Sequence, residues 1–257
     1  MFPETRLELV QRAARLFKES KFGVVFTGAG VSTDSGIPDF RSPDSGLWRN
    51  VDPMAVASIY GFRHNPEGFY NWVRPLALRT INAQPNAAHH AIAALERMGY
   101  VQAVITQNID MLHSRAGSSL IYELHGHMRQ ATCIHCFTIY DGEDIMRTFL
   151  EDNRVPHCPK CRGVIKPNVI LFGEQLPIRE LQGAQDVTRR SDVMLIVGSS
   201  LEVAPASDIP VLASRTGARL IIINLDSTPA DHMADVVIHA RAAEVLPEIV
   251  HQLERMT

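Results

Sequence analysis

The chain has no strong excess of charge of either sign, and it has no long apolar run. Its 257 residues include 25 lysines and arginines and 28 aspartates and glutamates, which leaves a formal net charge of −3. Such a balance provides no electrostatic attraction to nucleic acid or to an anionic membrane surface. No apolar run approaches the roughly 20 residues that a membrane-spanning helix needs. We therefore expect neither nucleic acid nor a membrane as a partner.

The first 20 residues do not have the pattern of an export signal. Charged residues alternate there with Leu7, Val10, Ala14 and Phe17, which predicts an amphipathic helix. A hydrophobic content of 46% and a charged content of 21% are typical of a soluble globular protein. A chain of this length can bury one large core with a small appended module. We expect a cytoplasmic protein and a monomer.

Cysteine is scarce, and its spacing is informative. All four cysteines fall in two Cys-x-x-Cys pairs, Cys133/Cys136 and Cys158/Cys161, with 21 residues between the pairs. Each pair places two thiolates on one side of a tight turn, and two such turns complete the tetrahedron that zinc prefers. Four thiolates leave no position for water, so the predicted zinc ion is structural. Two disulfides or free thiols are the alternatives, and the lack of an export signal disfavours disulfides.

Seven apolar runs predict strands of one sheet. Most are continuous and β-branched, as expected for strands that are buried on both faces. The runs are 23–26, 101–106, 120–124, 169–172, 193–197, 220–224 and 236–238. Helical patterns at 86–98, 181–190 and 243–253 lie between strands or after the last one. This alternation predicts an α/β fold with a mainly parallel, doubly wound sheet.

Two segments interrupt the alternation. Residues 42–80 are rich in aromatic side chains and have no strand pattern, which predicts a helical insertion. Residues 128–166 hold the predicted zinc module. No long linker separates these segments from the rest, so we expect both to pack directly on the large domain.

A glycine-rich turn follows the first run. The string GAGVSTDSGIPDFR (28–41) places Gly28 and Gly30 where a strand passes into a helix. Backbone N–H groups can approach a pyrophosphate at such a turn, at the positive end of a helix. Thr33 stands in place of a third glycine, and an acid, an aromatic ring and an arginine follow. This composition indicates a loop that acts on a bound dinucleotide, although a plain structural turn is the alternative.

Polar residues follow five of the predicted strands. They are the 28–41 string, Gln107-Asn108-Ile109-Asp110, His125-Gly126, Gly198-Ser199-Ser200 and Asn224-Leu225-Asp226. Ligands of open parallel sheets gather at the carboxyl ends of the strands. We therefore expect these five strand ends to meet in one binding crevice.

At this point the chain resembles the sirtuins, NAD-dependent protein deacylases of the silent-information-regulator family. The resemblance runs nearly end to end and is closest to a single-domain bacterial or archaeal form. It rests on GAGVSTDSGIPDFRS (28–42), PNAAH (85–89), TQNIDMLHSRAG (106–117), ELHG (123–126), both cysteine pairs, PNVILFGE (167–174), GSSLEVAPA (198–206) and INLD (223–226).

The resemblance implies a fold of two parts and a reaction. Residues 1–41, 81–127 and 167–257 would form a Rossmann-type NAD-binding domain, and 42–80 with 128–166 would form the small domain. NAD and an acyl-lysine protein substrate would enter the cleft between them. NAD would be cleaved to nicotinamide, and the acyl group would pass to ADP-ribose with release of free lysine. This chemistry breaks a glycosidic bond with the substrate amide as nucleophile.

The resemblance assigns the catalytic roles to three residues. His125 would be the general base that takes a proton from a ribose hydroxyl, a role that suits a pKa near neutrality. Asn108 and Asp110 would hold the nicotinamide carboxamide, which needs both a donor and an acceptor. Helix capping is the alternative for both residues. A structural role is the alternative for His125, and His127 is its near competitor.

Further cofactor contacts follow from the same resemblance. Phe40 would cover the nicotinamide site, and Ala242 would pack on adenine. The full predicted set is Gly28, Ala29, Gly30, Thr33, Asp39, Phe40, Arg41, Gln107, Asn108, Ile109, Asp110, Gly198, Ser199, Ser200, Asn224 and Ala242. Small polar residues also cap helices routinely, and Phe40 could be an ordinary core residue.

The substrate peptide would be held by PNVILFGE, which resembles the family's strand that pairs with the substrate backbone. The predicted contacts are Val169, Ile170, Phe172, Gly173 and Glu174. Val169 and Phe172 would border the tunnel for the acylated lysine. For either residue, a place in the core is the alternative.

Acyl preference depends on the helical insertion. Relatives that remove succinyl or malonyl groups have Tyr-x-x-Arg there, and the arginine meets the acyl carboxylate. In this chain Val73 stands where that arginine would be, three residues after Tyr70, and Arg74 lies one position further. One helical residue turns a side chain by about 100°. We therefore expect Arg74 to miss the pocket and neutral acyl groups, acetyl first, to be preferred.

Three other functions stay open at this point. A mono-ADP-ribosyltransferase would use the same NAD cleavage with another acceptor. An NAD-dependent dehydrogenase would share the sheet, but would usually have a third glycine and an acid about 20 residues on. A zinc-ribbon nucleic-acid binder would share the cysteines, but the charge balance and the five polar strand ends disfavour it.

Overall fold

A computed structural model of the chain describes residues 4–39 and 51–256. Phe40 and Arg41 of the predicted cofactor site lie outside the described residues. The strands are β1 (Gly23–Thr27), β2 (Val101–Thr106), β3 (Ile121–Glu123), β4 (Gly126–Cys133), β5 (Ile139–Asp141), β6 (Ile165–Val169), β7 (Val193–Val197), β8 (Arg219–Ile223) and β9 (Val236–Ile238). The helices are α1 (Arg6–Glu19), α2 (Pro53–Val56), α3 (Ile59–His64), α4 (Pro66–Asn82), α5 (Ala87–Arg97), α6 (Leu112–Ala116), α7 (Gly142–Asp152), α8 (Ile178–Arg190), α9 (Asp208–Arg215) and α10 (Ala242–Arg255). Two short 3₁₀ helices cover Ala29–Ser35 and Asp231–Met233.

The large sheet has six parallel strands in the order β3-β2-β1-β7-β8-β9. Every residue of β1 and β7 is buried, which explains why these runs are apolar without alternation. In chain order, strands β1 to β3 are added toward one edge of the sheet and strands β7 to β9 toward the other edge. The direction of addition therefore reverses between β1 and β7. A crevice at the carboxyl ends of the strands is expected at such a reversal. The predicted α/β fold with a parallel, doubly wound sheet is confirmed.

Helices cover both faces of this sheet. On one face α1, α5 and α10 pack into a single apolar cluster, and α8 and α9 pack into a second cluster on the opposite face. The predicted N-terminal amphipathic helix is confirmed as α1. Its first turn is closed by a capping box between Thr5 and Glu8, and its buried stripe includes Val10 and Phe17. Within the described residues, no helix has both the length and the apolar character needed to cross a membrane.

A second sheet has three antiparallel strands in the order β5-β4-β6. The prediction that 169–172 is a strand of the large sheet is wrong. The strand there is β6, which pairs with β4 and ends at Val169. Lys166, Pro167 and Asn168 interrupt the apolar pattern of β6, and an edge strand tolerates a proline. The strands β4 and β5 were not predicted, since their polar and apolar residues do not form a continuous run.

The predicted helical insertion is confirmed over its described part, 51–80. It forms α2, α3 and most of α4, and its aromatic residues pack with α7 in a third apolar cluster. Phe69 makes edge-to-face contacts with Phe62 and Tyr70, and the Phe149 ring of α7 lies 4.8 Å from that of Tyr70. The aromatic content of this segment therefore reflects a local core. The division of the whole chain into two domains stays a prediction.

Candidate active site and metal centre

The ends of five parallel strands meet at one edge of the large sheet, as predicted. Backbone hydrogen bonds join each strand end to its neighbour. They run from Gly28 N to Val197 O (3.0 Å), from Gln107 N to Thr27 O (3.0 Å), from Leu124 N to Thr106 O (2.9 Å), from Gly198 N to Ile223 O (3.0 Å) and from Asn224 N to Ile238 O (3.2 Å). The polar residues that follow these strands therefore share one crevice.

The glycine-rich turn after β1 packs against the end of β7. A Cβ atom on Gly28 would lie 2.7 Å from the Gly198 carbonyl oxygen, and one on Gly30 would lie 2.7 Å from the Gly198 Cα. Gly30 N donates to Gly198 O at 2.8 Å. The N–H groups of both glycines are thus engaged within the protein, and the two positions need glycine for close packing. The helix that follows is a 3₁₀ helix, and it contains Ala29 and Thr33.

Asn108 and Asp110 are buried beside this turn. Asn108 Nδ2 donates to Gly28 O (3.1 Å) and to Ser32 Oγ (3.2 Å). Asp110 Oδ2 accepts a hydrogen bond of 2.6 Å from Ser32 Oγ, and its Oδ1 accepts one of 2.9 Å from Leu112 N. Asp110 therefore also caps the start of α6, so the two predicted roles are compatible. Burial raises the pKa of Asp110, and the hydrogen bonds from Ser32 and Leu112 oppose this shift.

Two buried histidines lie behind this pair. His89 Nδ1 accepts a hydrogen bond from Asn86 N (3.3 Å), so its other nitrogen carries the proton and faces Ser32 Oγ at 3.4 Å. Burial lowers the pKa of His89 to about 4, with a smaller effect from His90. His89 is therefore neutral and directs a proton toward the hydroxyl that binds Asp110.

His113 completes a second chain of hydrogen bonds. Its Nε2 lies 2.9 Å from Thr27 Oγ1, which donates to Thr106 Oγ1 at 2.8 Å, and the same Thr106 oxygen accepts from Asn108 N at 3.0 Å. Burial lowers the pKa of His113 to about 3, with a smaller effect from His89. Both histidines lie in strings that carry the family resemblance, PNAAH (85–89) and TQNIDMLHSRAG (106–117). The structure connects them to the side chain of Asp110 and the backbone of Asn108.

His125 lies two residues beyond the end of β3 and is half-buried. Its Nδ1 is 3.0 Å from the Gln107 carbonyl oxygen. A carbonyl only accepts, so Nδ1 carries the proton and Nε2 is the basic nitrogen of the neutral ring. Burial lowers the pKa of His125, and the hydrogen bond to Gln107 opposes this shift. His127, its competitor, lines a surface depression of the small sheet with Arg129 and Tyr140.

The other predicted cofactor residues continue along the crevice. Gln107 Nε2 donates to Ser199 Oγ at 2.8 Å, and Asn224 Nδ2 donates to Asp226 O at 2.8 Å. Ala242 is buried and is the first residue of α10. An ion pair between Arg241 and Asp34 (2.6 Å) joins the start of α10 to the 3₁₀ helix after β1. Gly198, Ser199 and Ser200 follow β7 directly.

The predicted peptide segment runs from β6 toward α3. Ile170 N donates to the His125 carbonyl at 2.8 Å. Phe172 bonds Ala57 O through its N–H and Ile59 N through its carbonyl, both at 2.9 Å, and its side chain is 38% exposed. The segment is therefore joined at one end to His125 and at the other to the helical insertion. Val169 is buried in the third apolar cluster.

The four cysteines form one cluster, and their sulfur atoms all lie within 4.8 Å of one another. The sulfurs of Cys133 and Cys161 are 3.5 Å apart, and those of Cys136 and Cys158 are 3.6 Å apart. These separations are too long for disulfides. A tetrahedral zinc with Zn–S distances of about 2.3 Å has sulfur–sulfur edges of about 3.8 Å. The residues therefore fit one structural zinc ion, as predicted.

Two similar turns hold these thiols. Phe137 N donates to Cys133 O (3.0 Å), and Arg162 N donates to Cys158 O (2.8 Å). Phe137 and Arg162 both have positive φ values, 58° and 64°. The repeated turn explains why two residues separate the cysteines of each pair.

Tyr140, which was not predicted as part of the metal centre, lies against the four-cysteine cluster. The hydroxyl of Tyr140 is 2.9 Å from the sulfur of Cys158. A thiolate that binds zinc has no proton, so the hydroxyl must be the donor. This hydrogen bond lowers the pKa of the Cys158 thiol. Tyr140 therefore stabilises the form of Cys158 that binds a metal.

Comparisons with known proteins agree with this geometry. The sequence model of the Sir2 family matches residues 28–205. An NAD-dependent protein deacylase of Archaeoglobus fulgidus is 48% identical over 96% of this chain and 97% of its own length. An NAD-dependent protein deacetylase of Caldivirga maquilingensis is 46% identical over 96% of this chain and 95% of its own length.

Solved structures of Sir2 proteins have the same fold. One, from work on the mechanism and regulation of Sir2 enzymes, has a TM-score of 0.91 at 47% identity and covers 96% of this chain and 98% of its own. A Sir2 complex with a p53 peptide and NAD+ has a TM-score of 0.87 at 39% identity, covering 96% and 98%. A Sir2 protein with a myristoylated histone peptide has a TM-score of 0.83 at 42% identity, covering 96% and 97%.

The Tyr140 contact generates a prediction for the metal centre. We expect Tyr140→Phe to weaken zinc binding by roughly 10-fold or more, because loss of a hydrogen bond to a metal ligand has that effect in other sites. Competition with a chromogenic zinc chelator measures the dissociation constant on the folded protein. Tyr60→Phe is the control, since Tyr60 is 69% exposed on α3. Equal zinc affinities in both variants would contradict the role given to Tyr140.

Proposed function

The chain belongs to the Sir2 family, and from this we infer that it is an NAD-dependent protein-lysine deacylase. One observation carries this conclusion. His125, with its basic nitrogen set by the Gln107 carbonyl, shares a crevice of strand ends with the buried pair Asn108 and Asp110. A general base beside an amide-binding pair is what this reaction needs.

NAD, when bound, supplies the glycosidic bond whose cleavage releases nicotinamide and exposes the ribose carbon to attack by the acyl oxygen. We propose that the Nε2 atom of His125 accepts the proton of a ribose hydroxyl. The Gln107 carbonyl keeps the ring in the tautomer that leaves Nε2 free for this task. The lowered pKa of His125 keeps the base neutral at physiological pH.

We propose that Asn108 and Asp110 bind the nicotinamide carboxamide. Ser32 holds Asp110, and Thr106 holds the Asn108 backbone, so both groups are oriented before a ligand arrives. The neutral histidines behind them add no charge to the pocket. Ile109, between the two, would contact nicotinamide through its backbone.

The remaining cofactor contacts stay proposals. They are Gly28, Ala29, Gly30, Thr33 and Asp39 in the first loop, Gln107, and Gly198, Ser199, Ser200, Asn224 and Ala242 toward the adenosine end. Phe40 and Arg41 belong to the same proposal, although they lie outside the described residues. Its support is the shared crevice and the ion pair that brings the start of α10 to the 3₁₀ helix.

We propose acyl-lysine peptides as substrates, bound along 169–174. The solved Sir2 complexes with p53 and histone peptides support this. The separate three-stranded antiparallel sheet supports the proposed division into an NAD-binding domain and a small domain. A cytoplasmic location also stays a proposal, and the four free thiols support it, because such clusters favour reducing compartments. We also keep the expectation of a monomer, and the charge balance and the lack of a long apolar run support the absence of nucleic-acid and membrane partners.

We propose that neutral acyl groups are preferred. Val73 is buried among apolar side chains of the third cluster. Arg74 Nη2 donates to Leu150 O at 2.7 Å, and the Tyr70 hydroxyl donates to Ile165 O at 2.7 Å. The Tyr70 hydroxyl and Arg74 Nη2 are therefore each bonded to a backbone carbonyl, and Arg74 Nε is buried without a hydrogen-bond partner. A succinyl carboxylate would find no cation from this part of α4.

The central test uses His125→Ala. With NAD and an acetyl-lysine peptide, we expect the unaltered enzyme to release nicotinamide and to remove the acetyl group from the peptide. The variant should lose about 10²–10⁴-fold in kcat/KM, the usual contribution of a general base. His251→Ala, at an exposed position of α10, is the matched control, and this variant should keep its activity. Transfer of ADP-ribose to the peptide, seen by mass spectrometry, would instead favour a mono-ADP-ribosyltransferase.

The pH dependence follows from the shifted pKa of His125. Only the neutral ring can accept a proton, and burial lowers the pKa of His125, so activity should rise with pH with a midpoint below the ordinary histidine value of about 6.5. His89 and His113, with pKa values of about 4 and 3, are already neutral in this range. A kcat/KM profile for the acetyl peptide measures the midpoint. An acidic limb centred above pH 6.5 would contradict the assignment.

Acyl preference is tested with two groups of equal length. Butyryl and succinyl both have four carbons, and only succinyl ends in a carboxylate. We expect acetyl and butyryl peptides to exceed the succinyl peptide by at least about 10-fold in kcat/KM, since an unpaired charge in an apolar site is costly. Product formation by mass spectrometry gives the three values. Faster removal of succinyl than of butyryl would refute the interpretation of Val73.

A further inference from the structure

Lys166 is a nearly buried lysine that the reaction does not use. Its side chain is only 12% exposed, although it lies on the edge strand β6. The ammonium donates to the backbone carbonyls of Pro167 (3.1 Å) and Val169 (2.6 Å) and pairs with Glu174 Oε2 at 3.0 Å. All three of its protons therefore have acceptors in the segment that follows it.

Glu174 closes the other end of this segment. The same Oε2 atom accepts a hydrogen bond of 2.8 Å from Leu171 N, and Glu174 N donates to Leu171 O at 3.0 Å. Between them Gly173 has φ +86°, a conformation that favours glycine. The carboxylate of Glu174, 23% exposed, is thus directed at the protein and not away from it.

The pair is an unfavourable choice for stability alone. Burial lowers the pKa of Lys166, and the charge of Glu174 only partly offsets this. Removing two charges from water costs free energy that the attraction between them often fails to recover. Two apolar residues could hold a turn at a lower cost. What the pair adds is a set of directed hydrogen bonds to three backbone groups between residues 167 and 171.

We propose that the Lys166–Glu174 pair is a positioning device that presets the backbone of 167–174 for the substrate peptide. This rests on the proposed function, in which the peptide binds along this segment. A strand that adds to an existing backbone binds more weakly if that backbone must first be ordered. Glu174 then acts from within the enzyme and does not contact the peptide, unlike the sequence-based prediction.

The pair should affect the peptide and not NAD. Its contacts lie within 166–174, whereas the predicted NAD residues follow the strands of the large sheet. The imidazole of His125 is oriented by the Gln107 carbonyl, outside this segment, and Ile170 N bonds only the backbone carbonyl of His125. The expected effect of breaking the pair is therefore a higher KM for the peptide, with little change in kcat or in the KM for NAD.

The test compares Glu174→Gln, Lys166→Met and Lys166→Arg in the full chain. Glu174→Gln keeps the size of the side chain and an acceptor for Leu171 N, so the turn can still form. We expect the KM for an acetyl-lysine peptide to rise by about 10-fold in Glu174→Gln and Lys166→Met. The KM for NAD and kcat should stay within about 2-fold. Lys166→Arg, which keeps the charge, should recover much of the peptide affinity.

The matched control is Asp186→Asn, which breaks an exposed ion pair with Arg189 on α8. It should leave every constant unchanged. Thermal unfolding shows whether each variant folds, and if Lys166→Met does not, Glu174→Gln decides. An unchanged peptide KM in folded Glu174→Gln would overturn the proposal, and so would equal losses for peptide and NAD. If the unaltered enzyme fails to remove acetyl groups with NAD, the proposed function itself is wrong. If it removes them and the variants have the same constants, only the proposed role of the Lys166–Glu174 pair is wrong.

Discussion

The parallel pairing of β1 with both β2 and β7 is the constraint on which the rest of this structure depends. It places three strand ends side by side and brings the turn after β1 against Gly198. There is no room in that contact for a side chain on Gly28 or Gly30. The crevice, its backbone hydrogen bonds and the location of Asn108 and His125 all follow from this close approach. An α/β sheet whose order did not reverse at β1 would offer no such crevice.

Hydrogen bonds with a defined direction give the crevice its chemistry. Two buried neutral histidines, two threonines and Ser32 determine which atoms donate and which accept around Asn108 and Asp110. The Gln107 carbonyl does the same for His125. Burial suppresses charge on the histidines and so keeps these directions unchanged near neutral pH. Because the groups are oriented before a ligand binds, little reorganisation is needed during the reaction.

The small sheet connects the metal centre to the peptide segment. Cys133 ends β4, and β6 pairs with β4 before the chain enters 169–174. The same strand β4 begins at Gly126, next to His125. A structural zinc ion that holds the turns after β4 and before β6 would therefore also stabilise the strands next to His125 and the 169–174 segment. A metal ion without an open coordination position can therefore affect activity through the small sheet.

The sequence predicted what depends on local spacing. Continuous apolar runs indicated the buried strands, two Cys-x-x-Cys pairs indicated the four-sulfur cluster, and the polar strings after the strands indicated the crevice. It misplaced 169–172, because the apolar run there continues beyond a strand whose own residues Lys166, Pro167 and Asn168 are polar or rigid. Such a strand is recognised only through its partner β4.

The sequence alone determined the class of fold and the four cysteines of the metal cluster, since apolar runs and Cys-x-x-Cys spacing are local properties of the chain; the catalytic residues stay a prediction from the family resemblance. Only the tertiary structure decided which groups act on these residues from outside. These groups are joined by five contacts: Gln107 with His125, His89 with Ser32, His113 with Thr27, Tyr140 with Cys158 and Lys166 with Glu174. The partners lie 8 to 86 residues apart in the sequence, and the longest separation is that of His113 and Thr27. Hydrogen bonds and burial depend on distance in space, which the order of residues does not specify.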